Sequence, residues 1–472
     1  MIPITEYSGR DVAVFGLGRT GLSAAKALLA GGARVHAWDD NEKTRANADA
    51  EGITLSDINK RDWQSFAALV LSPGVPYKFP QPHRIVRMAE MTGVPVVGDM
   101  ELFARAVQAL PERARPKVVG ITGTNGKSTT TALIGHILKE AGRDARVGGN
   151  IGTGVLDMAP LHANAIYVLE LSSYQLDLVK SLHCDVSVFL NFSPDHLDRH
   201  GGLTGYLDAK KRIFQNQTSS DFAITGVDDV HTQAVSMSLA GRANQRVIQI
   251  SSEYALGRGI SAIDGRLYSS LLGKAVMAGQ LTSAAALPGR HNHQNAAAAF
   301  AACRVLGVEP GVIMRAIETF PGLPHRLELS GSIDGVRFIN DSKATNAQAA
   351  EQALKAYPRV YWIAGGQAKS DGIGDLAPLF PRVAKAYLIG EAQDAFAQTL
   401  KGKAPSVKCG TLENAVKEAL HDAHNSGEPD PVVLLSPACA SFDQFKDFEA
   451  RGDAFKSIVS NLIDGPPARE TA

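Results

Sequence analysis

Short runs of apolar, largely β-branched residues recur along the chain, each followed by a glycine- or acid-bearing break and then a stretch with helical spacing. Near the start, DVAVF reads as a buried strand, GLGRTG as a turn and LSAAKALLAGG as a helix. ARVHAWDD, AALVLSPG and VPVVGD continue as strands, and the Pro- and Arg-rich ALPERARPK closes this segment near residue 110. The logic then repeats. KVVGITG is a strand, TNGK a loop and STTTALIGHILKEAG an amphipathic helix, with AIYVLELSS and VSVFLNFS as further apolar runs. Prolines and a glycine mark a boundary at PGLPH, residues 321–325. Beyond it VRFIND, VYWIAGG, KAYLIG and VVLLSPA are short buried strands separated by helices, one starting at about Thr345. This alternation predicts an α/β protein with parallel sheets covered on both faces. Three domains are expected, over 1–110, 111–322 and 323–472. Ligands of such sheets sit at the carboxyl ends of the strands, so the chemistry is expected in the strand-end loops.

Composition adds mainly exclusions. A chain of 472 residues is too long for one core. Lys plus Arg and Asp plus Glu both number 48, which gives no electrostatic ground for a nucleic-acid or membrane-surface partner. No stretch approaches the roughly 20 apolar residues of a membrane helix, and the N-terminus lacks the pattern of a secretory signal. Cys184, Cys303, Cys409 and Cys439 are widely spaced with no CxxC pair, which predicts free, buried thiols in a reducing compartment. A cytoplasmic protein without membrane insertion is expected.

The second segment carries the clearest chemistry. Ile121-Thr122-Gly123-Thr124-Asn125-Gly126-Lys127-Ser128-Thr129 follows a strand and opens a helix. Glycines let successive N–H groups curl around phosphate oxygens, Lys127 adds a point charge, and Ser128 can reach a magnesium ion. The GxxxxGK[ST] pattern needs glycine at 121, where this chain has Ile, so the loop is a variant. In VLELSS a strand delivers Glu170, a carboxylate suited to the magnesium, and NFSPDHLDRH ends another strand in Asp195, His196 and Asp198. A lone acid after a strand is more often a helix cap; the combination is what counts.

In the first segment, Gly16-Leu17-Gly18-Arg19-Thr20-Gly21 fits GxGxxG, with Asp39 about 20 residues on at the end of a second strand. Alone, this is the fingerprint of a dinucleotide enzyme and supports an NAD-dependent oxidoreductase as the alternative. The same turn serves any diphosphate.

GITGTNGKST, LELSSYQL, NFSPDHLDRHG with AKKRIF, LPGRHNHQN, LPHRLE, INDSKATN and LLSPACASFDQF appear in this order, and through them the chain resembles the bacterial muramyl ligases along essentially its whole length. The last two motifs are similar to those of the glutamate-adding branch. The resemblance implies a Rossmann-like N-terminal domain that binds a UDP-linked substrate, a central P-loop ATPase domain with a parallel sheet, and a C-terminal Rossmann-like domain that binds the amino acid. It also implies ATP-dependent ligation of D-glutamate to UDP-N-acetylmuramoyl-L-alanine in peptidoglycan precursor synthesis, through an acyl phosphate and a tetrahedral intermediate. ATP and Mg²⁺, with two metal sites, are the implied cofactors, small molecules the partners, and a monomer the working form. A related ligase adding a different amino acid is a further alternative. The folate-polyglutamylating relatives share GTNGK but lack an N-terminal glycine-rich domain. A non-catalytic nucleotide-binding regulator is disfavoured by the joint presence of Lys210, His196 and Lys343.

Carried over by position, the resemblance implies that Gly123 to Thr129 bind ATP, with Lys127 on the β- and γ-phosphates. Ser128 and Glu170 would hold one magnesium, and His196 and Lys210 would belong to a second metal site. The lysine matching Lys210 is typically carbamoylated in this family; spacing alone reads it as a solvated helix face in LDAKKRIF. Asn292, Asn295, Arg326 and Asp341 match nucleotide contacts, and Lys343, Thr345, Lys369, Ser441 and Phe448 match the site of the incoming amino acid. Gly16, Leu17, Gly18, Thr20, Gly21, Asp39, Ser72, Pro73, Gly74 and Asn150 match the UDP-substrate site. Two positions depart from the pattern. Gln367 stands where relatives often have Asp, and Asp39-Asp40-Asn41 where a basic residue is often found.

Overall fold

Strand β1 (Asp11–Phe15) is apolar on both faces, as a strand between two helical layers must be. It lies at the centre of a parallel sheet with β2 (Arg34–Trp38), β3 (Phe66–Leu71) and β4 (Val96–Val97), in the order β2–β1–β3–β4. The turn from β1 into the helix Arg19–Ala30 is so tight that a Cβ on Gly21 would lie 1.7 Å from the carbonyl oxygen of Gly16. The computed structural model describes residues 1–242, 244–367 and 372–464.

The second sheet has nine strands: β5 (Lys117–Thr122), β6 (Asp144–Gly149), β7 (Ala165–Glu170), β8 (Val186–Phe189), β9 (Phe222–Gly226), β10 (Arg246–Ser251), β11 (Ile260–Ile263), β12 (Arg266–Ser269) and β13 (Val276–Gln280). Their order is β13–β12–β11–β10–β9–β8–β5–β7–β6. The sheet is parallel from β6 to β11, but β11, β12 and β13 pair antiparallel, contrary to the all-parallel expectation. The reason is local. Only Asp264-Gly265 separates β11 from β12, both at positive φ (48° and 71°), and an Asp-Gly pair makes a hairpin, whereas a parallel crossover needs a dozen residues or more.

The third sheet contains β14 (Glu328–Ile333), β15 (Val336–Asn340), β16 (Val360–Gly365), β17 (Val383–Ile389), β18 (Ser406–Gly410) and β19 (Val432–Leu435), in the order β14–β15–β19–β16–β17–β18. It too is parallel except at one edge, where Asp334-Gly335 folds β14 back on β15. Alternate residues of β16 and β19 feed separate cores on its two faces: Trp362 and Leu434 on one, Tyr361, Ile363, Val433 and Leu435 on the other.

The chain divides into two compact units, one of Met1–Leu281 with His293–Thr319, the other of Thr282–Asn292 with the chain from Phe320 onward. In the first unit one apolar core runs from Val12 and Val14 through Phe103 to Tyr167 and Leu169, joining the first two sheets. Helix Asp99–Gln108 is the joint. The buried carboxylate of its Glu101 accepts the N–H groups of Lys180 (2.7 Å) and Ser181 (2.8 Å) and the Ser181 hydroxyl (2.8 Å). All four cysteines are buried and free. No helix among the described residues is long and apolar enough to cross a membrane.

Candidate active site

The phosphate loop is the link between β5 and the helix Lys127–Glu140. Gly126, directly before that helix, has φ +79°, and a Cβ there would lie 2.2 Å from Oδ1 of Asn295. Glycine alone satisfies both conditions. The Thr124 N–H donates to the Asn191 carbonyl (3.0 Å) and the Asn125 N–H to Asn191 Oδ1 (2.9 Å), fastening the loop to the end of β8. Thr130 donates its hydroxyl to Asn295 Oδ1 at 3.2 Å, which brings Asn295 to the first turn of the helix. Ser128 is buried on the same turn and Thr129 is half-buried.

Two ammonium groups converge on one carbonyl. Lys127 Nζ donates to the oxygens of Gly123 (3.0 Å) and Thr124 (2.8 Å), and Lys210 Nζ donates to that of Gly123 at 2.7 Å. Lys210 is 1% exposed, so the solvated-face reading fails for it; its neighbour Lys211 is exposed and pairs with Asp208. Burial and then the charge of Lys127 hold the Lys210 pKa well below the ordinary lysine value, opposed by Asp195 and Glu170.

Glu170 ends β7 and is buried. Its Oε1 accepts the Asn150 side-chain amide at 2.7 Å, while its buried Oε2 has no hydrogen-bond partner. A carboxylate oxygen in that condition calls for a cation. His196 precedes a short helix in the left-handed region (φ +52°), with Nε2 3.3 Å from Asp195 and its ring 5.0 Å from that of Tyr174. Burial lowers its pKa, and Lys127 and Lys210 lower it further against Asp195. No group of three or more His, Cys, Asp or Glu side chains poised for a metal occurs among the described residues. Magnesium needs none: it is commonly held by one or two protein oxygens together with water and phosphate oxygens, and Glu170 with Ser128 fits that donor set.

Two arginines that the sequence reading left unassigned tie the first-sheet loops to this region. Arg19, a variable position of the glycine-rich turn, donates to the carbonyls of Gly152 (3.1 Å) and Asn150 (3.4 Å). Arg199, three residues past His196, donates to the carbonyls of Gly74 (3.0 Å), Val75 (3.2 Å) and Pro73 (3.4 Å), with its guanidinium 4.6 Å from the Tyr174 ring. Arg19 thereby joins the glycine-rich turn to Asn150, and Arg199 joins Pro73 and Gly74 to the chain after His196. Asp39 has a local duty, accepting the N–H groups of Leu17 (2.7 Å) and Asn41 (2.8 Å). Arg45 stacks 4.6 Å from the Trp38 ring and donates to the carbonyls of Asp39 (2.8 Å) and Asp40 (3.0 Å).

The second unit gathers most of the other residues named above at the ends of β15 and β19. Asp341 is buried, accepts the Ser436 hydroxyl at 2.8 Å, and has its pKa pushed up by burial to about 7. Lys343 places its ammonium 3.7 Å from the centroid of the Phe448 ring, a close cation–π contact. The Thr345 N–H donates to Lys343 O at 2.8 Å, and Asn346 caps the helix Ala347–Ala356, which starts slightly later than expected. Ser441 is buried at a turn whose Phe445 N–H returns to its carbonyl at 2.8 Å. Arg326 follows His325 in the loop before β14, and Asn292 bonds the Pro288 carbonyl at 2.8 Å. The Gln367 N–H donates to Ala440 O at 2.9 Å; Lys369 lies outside the described residues.

Comparison with known proteins agrees along the whole chain. Residues 10–98 match the Mur ligase MurD-like N-terminal domain, 121–303 the Mur ligase middle domain, and 325–439 the glutamate ligase domain of Mur ligases. A UDP-N-acetylmuramoylalanine--D-glutamate ligase of Phenylobacterium zucineum is 56% identical, covering 98% of this chain and 99% of its own. Proteins of the same name from Caulobacter vibrioides (57%, 98% of each chain) and Rhodospirillum rubrum (50%, 98% and 97%) are similar. Among solved structures, the UDP-N-acetylmuramate-alanine ligase of Thermotoga maritima shares the fold at a TM-score of 0.58 and 17% identity, over 96% of this chain and 99% of its own. MurF of Acinetobacter baumannii does so at 0.57 and 18%, over 98% and 93%. The dehydrogenase alternative therefore falls, and the chain belongs to the Mur ligase family, with the family's three α/β domains.

Proposed function

We propose that this protein joins D-glutamate to UDP-N-acetylmuramoyl-L-alanine at the expense of ATP, as a cytoplasmic, monomeric step of peptidoglycan precursor synthesis. Full-length relatives of that name at 50–57% identity support the substrate pair. The observation that carries the chemistry is the meeting of Lys127 and Lys210 on the Gly123 carbonyl, in a unit where Glu170 keeps one buried oxygen unpartnered. Two lysine nitrogens on one carbonyl and an unpartnered carboxylate oxygen suit a polyanion and its metal ion.

A carboxylate is a poor electrophile until one oxygen becomes a phosphate leaving group. In this reading the γ-phosphate of ATP passes to the terminal carboxylate of the UDP-linked substrate. The amine of glutamate then attacks the acyl phosphate, and the tetrahedral intermediate collapses to amide and phosphate. Catalysis is mostly positioning and charge neutralisation. Gly123 to Thr129 cradle the phosphates by their N–H groups and Lys127 follows the moving charge; Asn292, Asn295, Arg326 and Asp341 contact the nucleotide. Ser128 and Glu170 would hold one Mg²⁺, and His196 with carbamoylated Lys210 a second, and such ions would supply neutralisation of the phosphate charge. Lys210 suits carbamoylation because burial and the charge of Lys127 disfavour its protonated form, the unprotonated amine is the form that reacts with carbon dioxide, and the product places an anion beside Lys127. Residues 1–110 would hold the UDP-substrate, chiefly at 16–21, 39, 72–74 and 150, residues 111–322 the ATP, and residues 323–472 the amino acid, through Lys343, Thr345, Lys369, Ser441 and Phe448.

The test is phosphate release from Mg-ATP with UDP-N-acetylmuramoyl-L-alanine and one amino acid at a time. Release with D-glutamate but not L-glutamate, L-lysine or diaminopimelate is expected. Release with another amino acid would keep the ligase chemistry and overturn the substrate.

A further inference from the structure

Arg451 is the largest charged side chain in the buried interior, 1% exposed, on the helix Phe448–Asp464. Burial lowers its pKa to about 10, so it is charged at neutral pH. No carboxylate among the described residues lies within ion-pairing distance of it. Its donors go to main-chain and hydroxyl oxygens: Nε to Ser342 Oγ (3.0 Å), Nη2 to Ser342 O (2.9 Å) and Cys439 O (3.1 Å), and Nη1 to Ala440 O (3.3 Å). The Ser342 hydroxyl in turn donates to Phe448 O at 2.8 Å. One planar guanidinium thus pins the loop after β15, the loop after β19 and the start of the final helix. Each pinned point is at or beside a residue assigned above to the amino acid: Ser342 precedes Lys343, Ala440 precedes Ser441, and Phe448 is itself assigned. A buried arginine kept only for stability would be expected to face a carboxylate, since an unpaired buried charge is costly. Here the nearest acidic influence is Asp443, which acts on Arg451 electrostatically without an ion pair, in a region read as receiving a dicarboxylate.

We propose that Arg451 is a positioning residue for the incoming amino acid: it fixes Lys343, Ser441 and Phe448 in register through Ser342, Cys439 and Ala440, and its positive charge favours the two carboxylates of the substrate. It does not touch the substrate. The inference rests on the ligase reading above.

The experiment measures steady-state phosphate release by the full-length protein, wild type against Arg451→Lys and Ser342→Ala, varying D-glutamate, ATP and UDP-N-acetylmuramoyl-L-alanine in turn, with thermal unfolding alongside. Lysine keeps the charge but loses the fork, and alanine removes one anchor while leaving the guanidinium in place. Both variants are expected to raise KM for D-glutamate by about tenfold or more, with the other two KM values within about twofold. A uniform loss of kcat, with all KM values unchanged, would reduce Arg451 to a structural role and overturn the proposal, as would a wild-type KM for D-glutamate in both variants. If Arg451→Lys does not fold, Ser342→Ala decides alone. Absence of glutamate-dependent release by the wild type would instead overturn the ligase reading itself.

Discussion

Lys210 Nζ lies 2.7 Å from the backbone oxygen of Gly123, joining a helix 87 residues downstream to the phosphate loop. The same oxygen accepts Lys127 Nζ at 3.0 Å. Two amines this close cannot both hold a proton without cost unless an anion arrives, and burial with the charge of Lys127 disfavours the protonated form of Lys210.

Lys127→Ala removes the ammonium that bonds the carbonyls of Gly123 and Thr124. Phosphate release is expected to fall by about 10²–10³-fold or more, with far-UV circular dichroism unchanged. Near wild-type release would sink the loop assignment.

Lys210→Ala is expected to be inactive, and high bicarbonate should not restore it, because no amine remains to carbamoylate. Formate, acetate or propionate should restore part of the activity by placing a carboxylate in the vacated space. If no acid in a concentration series has any effect, the idea of an anion at this position is wrong.

Gly126→Ala meets two obstacles at once, a φ of +79° and a Cβ 2.2 Å from Asn295 Oδ1. The left-handed conformation alone costs about 1–2 kcal/mol. The loop is expected to shift, raising KM for ATP while the KM for D-glutamate stays unchanged. Unaltered ATP kinetics would show that the loop tolerates the displacement.

Asp99 gives a pH prediction away from the chemistry. It is buried, accepts the Gln175 amide on Oδ2 at 3.1 Å and leaves Oδ1 without a partner; burial raises its pKa from 3.8 to about 6. Between those values the folded chain keeps a proton that the unfolded chain has released. This group's contribution to stability is therefore intact below pH 3.8, falls as pH rises towards 6, and is flat above it. The full loss is about 3 kcal/mol. Asp99→Asn cannot titrate, so its stability relative to wild type should rise over that pH range, as read from urea midpoints between pH 4 and 8. Parallel pH profiles for the two proteins would refute a buried, proton-holding Asp99.

Much of this protein was legible in its sequence. β1, β5, β7, β8, β16, β17 and β19 were visible because a strand buried on both faces must be continuously apolar, and such runs are short and bounded by glycine or acid. The phosphate loop was visible because its chemistry is local: backbone N–H groups, a lysine and a helix start lie within a few residues. The antiparallel edges were equally local. Asp264-Gly265 and Asp334-Gly335 are hairpin signals that interrupt the strand–helix alternation.

Tertiary structure alone decided the rest, because the deciding contacts are between residues far apart in sequence. Lys210 and Lys211 look alike in sequence, and packing puts one at 1% exposure on the phosphate loop and leaves the other in water. Arg19 and Arg199 sit inside motifs, but at positions to which the motifs give no role, and Arg451 lies outside them. Each acts by donating to backbone carbonyls, which every residue possesses, so no residue pattern marks the acceptors. Sequence determines which groups are available; only folding determines which lose their water and must find each other.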